Sequence, residues 1–310
     1  MNERRIVCED LNLAIDDLKR EGFRLDVIYP ADDPHTAILS KGGCSLRLTT
    51  LPGVALPSEL PPFEPRFVLT RAGGSSGEGR AGMLYRDLIP DRLGGRYIAS
   101  HITISEGGPV NDWVHYHQVR FQMIYVRKGW VRVVYEDRGE PFVMREGDCV
   151  LQPPEIRHQV LDSSPGVEVV EISCPALHPT LADHELTLPN RMGDSSRKWS
   201  GQQFLLHVAD ETAWTPFAEG EAQKIGMIEA TAGFAEVRTV RSTGGALPFE
   251  PHDGELIFGF VLEGSALLNF DGRHSLGPAD SFVIPPGEAF AIQDMSPDFR
   301  LLHVTTAAAD

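Results

Sequence analysis

The sequence predicts a mainly β protein in which two tandem β-barrels follow a small α+β unit, and three observations carry that reading. From about Gly94 onward, short runs rich in Val, Ile, Phe and Tyr recur between Gly, Pro and Asp, among them RYIASHITIS, QMIYVRKG, WVRVVYED, DCVLQPP and VEVVEIS. That spacing suits a sandwich or barrel rather than βαβ units. The pattern then repeats: QMIYVRKGWVRVVYEDRGEPFVMREGDCVLQPPEIRHQV can be laid over LIFGFVLEGSALLNFDGRHSLGPADSFVIPPGEAFAI, placing Gly129 on Gly264 and Pro153 on Pro285, with a longer hairpin in the first copy. Between residues 51 and 82 the chain instead carries Pro52, Pro57, Pro61, Pro62 and Pro65, then RAGGSSGEGRAG, which is linker chemistry.

Taken in order, residues 1–50 read as strand, helix and three strands. RRIVCED is strand-like, LNLAIDDLKREG has helical apolar spacing through Leu11, Leu13, Ala14 and Leu18, and Gly22 marks the helix end. FRLDVIYP, HTAILSK and CSLRLTT follow as strands. The expected organisation is this module, a linker over 51–82, a first barrel over 83–190 and a second over 191–310.

Composition narrows the function. Lys+Arg 28 against Asp+Glu 44 gives a net charge of −16, a field that repels nucleic-acid phosphates and anionic membranes. Cys8, Cys44, Cys149 and Cys174 are far apart and form no C-x-x-C pair, so they read as reduced thiols. No stretch has signal-peptide character, and apolar runs such as LIFGFVL fall far below the ~18 residues of a membrane span. The expectation is a cytoplasmic protein acting on a small molecule, without nucleic-acid or membrane partners.

The chemistry concentrates in WVHYHQVRFQMIYVRKGW. On a strand, residues i and i+2 share a face, so His115 and His117 project together, about 6–7 Å apart. Gln122 lies beyond a tight reversal, and His158 follows a Pro-Pro turn able to return a third imidazole to the same place. Neutral imidazole ligates Fe, Ni, Cu, Zn and Mn alike. An H-x-H pair alone fits any surface strand; His158, with the matched glycine and proline turn of the second copy, makes the metal reading the stronger one. His101 lines the pocket if it faces inward; otherwise Ile98, Ser100 and Ile102 form the inward set. Arg120 and Arg157 should point away from the ligands, Cys149 reads as a core thiol, and Tyr125 and Tyr135 as core or interface aromatics.

These residues resemble the cupin superfamily. Gly108, His115, His117, Gln122 and Gly129 follow its first motif, with one extra residue before His115 and Gln in place of Glu. Gly147, Pro153, His158 and Asp162 follow its second, with Glu155 and Asp162 in place of Gly and Asn. The resemblance covers about residues 85–308 and implies two jelly-roll barrels. It also implies one divalent transition metal per chain, iron foremost with Ni, Zn, Mn or Cu open, held by His115, His117 and His158 with Gln122 in the fourth ligand position, and a homodimer.

Replacing a carboxylate by an amide leaves a bound ion at +2 instead of +1, and so more receptive to an anionic oxygen ligand. This is similar to three-histidine cupin dioxygenases, and it implies an Fe(II)-type dioxygenase of a small anionic, oxygen-bearing substrate. Gln122 then coordinates, orients a bound water, or simply packs. A metal-assisted isomerase or lyase and a non-catalytic ligand-binding barrel are the competing readings.

In the second copy the motif offsets place Glu250 at His115, His252 at His117, Ile257 at Gln122 and Phe290 at His158, a set unsuited to metal. Residues 1–50 resemble a single module of the glyoxalase (vicinal oxygen chelate) superfamily, without its ligand residues.

Overall fold

The computed structural model describes residues 3–194 and 196–308. The chain opens with a strand (Glu3–Val7), a helix (Leu11–Arg20) and three strands (Arg24–Tyr29, Thr36–Lys41, Cys44–Thr49). The Asp10 side chain caps the helix by accepting from the Leu13 amide at 2.9 Å. Gly22, at φ +87°, takes the left-handed conformation beyond its end. The buried helix face is Leu11 and Ile15, flanked by Ala14 and Leu18, against Leu39 and Leu48. Leu13 is 57% exposed. At about 100° per residue it lies well off the Leu11–Ile15 stripe, so it does not belong to the buried face the sequence suggested.

This unit does not close on itself. Arg24–Tyr29 pairs with Thr180–Ala182, which pairs with His115–His117, and the sheet continues through His158–Ser163 and Trp130–Tyr135 to Phe142–Arg145. The facing sheet runs from Leu205–His207 through Cys149–Leu151, Phe121–Lys128, Val167–Cys174 and Ile98–Ile104 to Leu84–Asp87 and Gly77–Glu78. Together these two sheets make the first barrel.

A second pair of sheets repeats the plan. One runs Thr215–Phe217, Gly220–Lys224, Ala235–Ser242, Arg300–Thr306, Ile257–Glu263, Ser281–Val283; the other runs Leu247–Phe249, Phe290–Gln293, Ala266–Asn269, Arg273–Leu276. The two barrels exchange edges. Val68–Thr70, from the Pro- and Gly-rich stretch, pairs with Ser281–Val283 of the second, while Leu205–His207 pairs with Cys149–Leu151 of the first. Phe121, Tyr125 and Leu151 share one core with Phe258, Phe260 and Leu302. Burial of such side chains contributes about 1.5–3 kcal/mol each, so this shared core ties the barrels together.

The internal repeat is visible in the backbone. Gly129 and Gly264 both sit at positive φ (76° and 71°). An added Cβ would lie 2.3 Å from Ser164 Oγ in the first and 2.7 Å from the Phe299 Cα in the second. Both turns therefore favour glycine for conformation, and the second, which meets backbone, requires it for space as well. The amide of Gln152 donates to the Gln122 carbonyl at 3.0 Å, and that of Ile284 to the Ile257 carbonyl at 2.9 Å.

Candidate metal centre

His115 and His117 occupy one short strand with Tyr116 between them, so both imidazoles enter the barrel. His158 opens the neighbouring strand directly opposite His115. It is delivered by the Pro153–Pro154 turn, where Glu155 stands at φ +63° and donates its amide to the His117 carbonyl at 3.0 Å. The left-handed backbone explains why glycine would be easier at this position.

All three rings are buried, and one nitrogen from each lies within 4.8 Å of the others. No Asp, Glu or Cys among the described residues joins the group. Carbonyl contacts fix the tautomers of His115 and His158. Nδ1 of His115 is 2.7 Å from the Trp113 carbonyl, Nδ1 of His158 is 3.0 Å from the Ile156 carbonyl, and Nδ1 of His117 is 3.2 Å from Thr180 Oγ1. With Nδ1–H donated to a carbonyl, the Nε2 lone pair of His115 and of His158 is left for the cavity. Burial pushes all three well below the ordinary histidine range, to about 4 for His158, with Arg80 and the neighbouring rings adding to the effect at His115 and His117. They are neutral at physiological pH, the form a metal binds.

This has a pH consequence. A buried histidine with a depressed folded-state pKa contributes full stability above about 6.5 and loses it as pH falls toward the folded value. Metal-stripped protein is therefore expected to lose stability continuously from pH 6.5 to 4 in denaturant titrations. His158→Phe should flatten that slope; an unchanged slope would mean that His158 is not held neutral.

Gln122 also lines the cavity. Its Nε2 donates to Glu171 Oε1 at 3.0 Å, which leaves the amide oxygen uncommitted. Glu171 projects from the adjacent strand and also accepts from Ser173 Oγ at 3.2 Å. Burial raises its pKa, opposed by those two hydrogen bonds and by Arg80. Tyr135 stacks on His158, centroids 5.5 Å apart and planes at 20°; it is a wall of the cavity, not merely a core or interface ring. The remaining lining is largely hydrocarbon, including Ile102, Ile104, Ile124 and Val133, around a volume of about 80 Å³.

Arg80 completes the site. Its Nη2 lies 3.1 Å from His115 Nε2, and it forms a buried ion pair with Asp112. Burial works against its charge, but Asp112 beside it keeps the guanidinium protonated. Its Nε is buried without a hydrogen-bond partner. The Arg80 amide donates to the Ala31 carbonyl at 2.9 Å, so the first 50 residues border the cavity here.

Several expectations change. His101 does not face this cavity: its Nε2 is 2.9 Å from Glu168 and its Nδ1 3.2 Å from Arg86, and its ring packs on Phe260 of the second barrel. Strand alternation instead turns Ile102 and Ile104 inward. Arg157 pairs with Asp183 at 2.9 Å over the Tyr116 ring, and Arg120 covers Phe234, both outside the cavity. All four cysteines are free thiols, with Cys149 in the core. Sequence reasoning missed Glu171, Arg80, Asp112 and His178, a fourth buried imidazole set edge-on to His117 at 5.5 Å. Alternation counted from Gln122 across to the VEVVEIS strand could have found Glu171; nothing local distinguishes Arg80 from Arg71 in the same stretch.

In the second barrel the register corrects the mapping by one residue. Phe249, not Glu250, stands opposite Phe290 as His115 stands opposite His158. His252 keeps its place, because the Gly287 amide donates to its carbonyl at 3.0 Å as Glu155 does to His117. One extra residue thus lies between the two positions, and Glu250 is exposed at the rim of the second barrel's cavity.

With this geometry established, comparison with known proteins gives a consistent fold. Residues 100–172 match the family model described as Cupin domain. The E. coli protein Ylba superposes with a TM-score of 0.57 at 11% identity, covering 82% of this chain and 96% of that one. The putative glyoxylate induced protein of Pseudomonas aeruginosa gives 0.57 at 14%, covering 84% and 96%. Oxalate decarboxylase of Lactobacillus farciminis, solved with formate, gives 0.52 at 13%, covering 83% and 88%. No curated protein sequence matches the chain. The fold is that of the cupins, with two tandem jelly-roll barrels behind a small α+β unit. No helix among the described residues is long and apolar enough to cross a membrane.

Proposed function

We propose, proceeding from a cupin barrel that turns three neutral imidazoles onto one point, that the chain is a metal-dependent enzyme of the Fe(II) dioxygenase type. Its substrate is a small anionic, oxygen-bearing molecule. The carrying observation is the buried His115–His117–His158 group in a hydrocarbon-lined cavity that also holds one protonated arginine. The donor set fits a divalent transition ion, with iron first and Ni, Zn, Mn or Cu as alternatives. Gln122 stands in the fourth ligand position through its uncommitted oxygen. A bound ferrous ion would supply the redox centre at which substrate and O2 meet.

The protein's own residues do the rest. Arg80, charge-compensated by Asp112, offers its unpartnered Nε–H to a carboxylate or enolate oxygen and must yield its contact with His115 Nε2 when that lone pair ligates. Tyr135, Ile102, Ile104 and Val133 exclude water. The volume of about 80 Å³ restricts the substrate to a few heavy atoms, so screening begins with small carboxylates, including oxo and hydroxy acids. The reading includes a homodimer, on the resemblance alone, and a cytoplasmic location, on the sequence expectation.

One observation favours a second reading, a metal-assisted isomerase or lyase. Glu171, half-buried beside Gln122 on the cavity wall with its pKa raised, is suited to take and return a proton. An oxygen electrode separates the two. Fe(II)-loaded protein with its substrate is expected to consume O2 in step with substrate loss. Substrate loss at the same rate without O2 would establish the second reading and end the first.

A further inference from the structure

The second barrel has lost the metal ligands but not its cavity. A space of about 360 Å³ lies where the first barrel holds its triad, larger than the first barrel's own. Phe249 and Phe290 replace the facing His115 and His158 and stack in parallel, centroids 4.4 Å apart at 3°. His303 stands opposite Gly259 in the register in which Glu171 stands opposite Ile124, so it takes the place of the carboxyl that lines the first barrel's cavity.

His303 is 5% exposed, lines the cavity and packs 4.8 Å from the Phe249 ring. Neither of its ring nitrogens has a hydrogen-bond partner. Arg238, directly across the strand pair from His303, also lines the cavity, pairs with Glu236, and has a buried, unpartnered Nε. A buried polar group left without a partner is destabilising, because it has given up its hydrogen bonds to water. Two on one wall of a space this size mark where a ligand's polar atoms belong.

We propose that this cavity is a second ligand site, for a single-ring aromatic molecule bearing a hydroxyl of phenol type. The ring packs against the edge of Phe249, whose face is stacked on Phe290, and against Phe217, which also carries the Arg238 guanidinium 4.6 Å from its centre; the hydroxyl donates to a His303 nitrogen while accepting from Arg238 Nε–H. Arg238 is neutralised by Glu236, and His303, pushed down to about 3 chiefly by burial and then by Arg238, is uncharged. The wall therefore matches a neutral hydroxyl, and the surrounding Phe217, Phe249 and Phe290 rings favour edge-to-face contact with a flat ring over a saturated one. The site stands independently of the metal reading, since it shares no residue with the first barrel.

The test is calorimetric titration of metal-stripped protein with phenol, cyclohexanol and toluene. Phenol is expected to bind at one per chain, at least tenfold more tightly than either analogue. His303→Leu should lose tenfold or more, and His115→Ala should leave binding unchanged. Equal affinity for all three compounds, no phenol binding at millimolar concentration, or loss with His115→Ala instead of His303→Leu would overturn the proposal. Should His303→Leu fail to fold, anomalous diffraction from wild-type crystals soaked in 4-bromophenol decides: bromine inside the cavity lined by Phe217, Arg238 and His303 supports the site, and bromine elsewhere or nowhere removes it.

Discussion

Replacing His115 and His117 together by alanine is expected to reduce bound transition metal from about one equivalent per chain to below a tenth of that. Two of the three converging imidazoles are then gone, and a single imidazole beside an amide does not hold a divalent ion against dilution. The loss should also appear in stability. A ligand that binds only the folded state at 100 times its Kd adds about 2.7 kcal/mol. Metal should therefore raise the melting temperature of the wild type and leave the double variant unmoved. His178→Phe is the matched control, because His178 is buried beside His117 but commits its Nδ1 to the Pro175 carbonyl at 2.8 Å. Equal metal in wild type and double variant would remove the metal reading.

The second large effect is at Arg80. Arg80→Met should destabilise the fold by about 3–5 kcal/mol, because it strands the Asp112 carboxylate without its countercharge in a position with no solvent access. Asp112 cannot simply turn away, since it also accepts from the Val160 amide at 2.9 Å. Combining Arg80→Met with Asp112→Asn should recover much of the loss by removing the orphaned charge. Chemical denaturation of the two variants measures this. A cost below 1 kcal/mol for Arg80→Met would mean that the pair is solvated in solution. With an anionic substrate, the double variant should show a raised KM, because the cation is gone while the imidazoles remain.

How much of this was legible in the sequence depends on the range of the signal. His115 and His117 are two apart on a strand, and the period-2 rule places them on one face without further knowledge. His158 and the degenerate second copy followed from an internal repeat, which preserves glycines and proline turns because their backbone angles admit few substitutes. Arg80 was invisible, because its position depends on Gly79, in one hairpin with Tyr85, passing close to the Ala31 carbonyl some fifty residues earlier in the chain. His101 failed on parity: a strand face is fixed only once one residue's direction is known, and His101 had no neighbour of known direction. The one-residue error at Glu250 has the same origin, since a single insertion flips every alternation count beyond it.

The sheet that runs without interruption from Glu3–Val7 to the His115–His117 strand has a consequence for how the molecule opens. Thr180, whose hydroxyl contacts Nδ1 of His117, lies on the single strand separating that strand from Arg24–Tyr29. Local unfolding spreads along hydrogen-bonded ladders. Fraying of the first fifty residues therefore bares one edge of the Thr180–Ala182 strand, loosens its hold on His117, and releases the Ala31 anchor of Arg80 in the same event. Hydrogen-exchange protection of the amino-terminal strands is therefore expected to rise when the imidazole cluster is occupied, and truncating those strands to shorten the lifetime of the site.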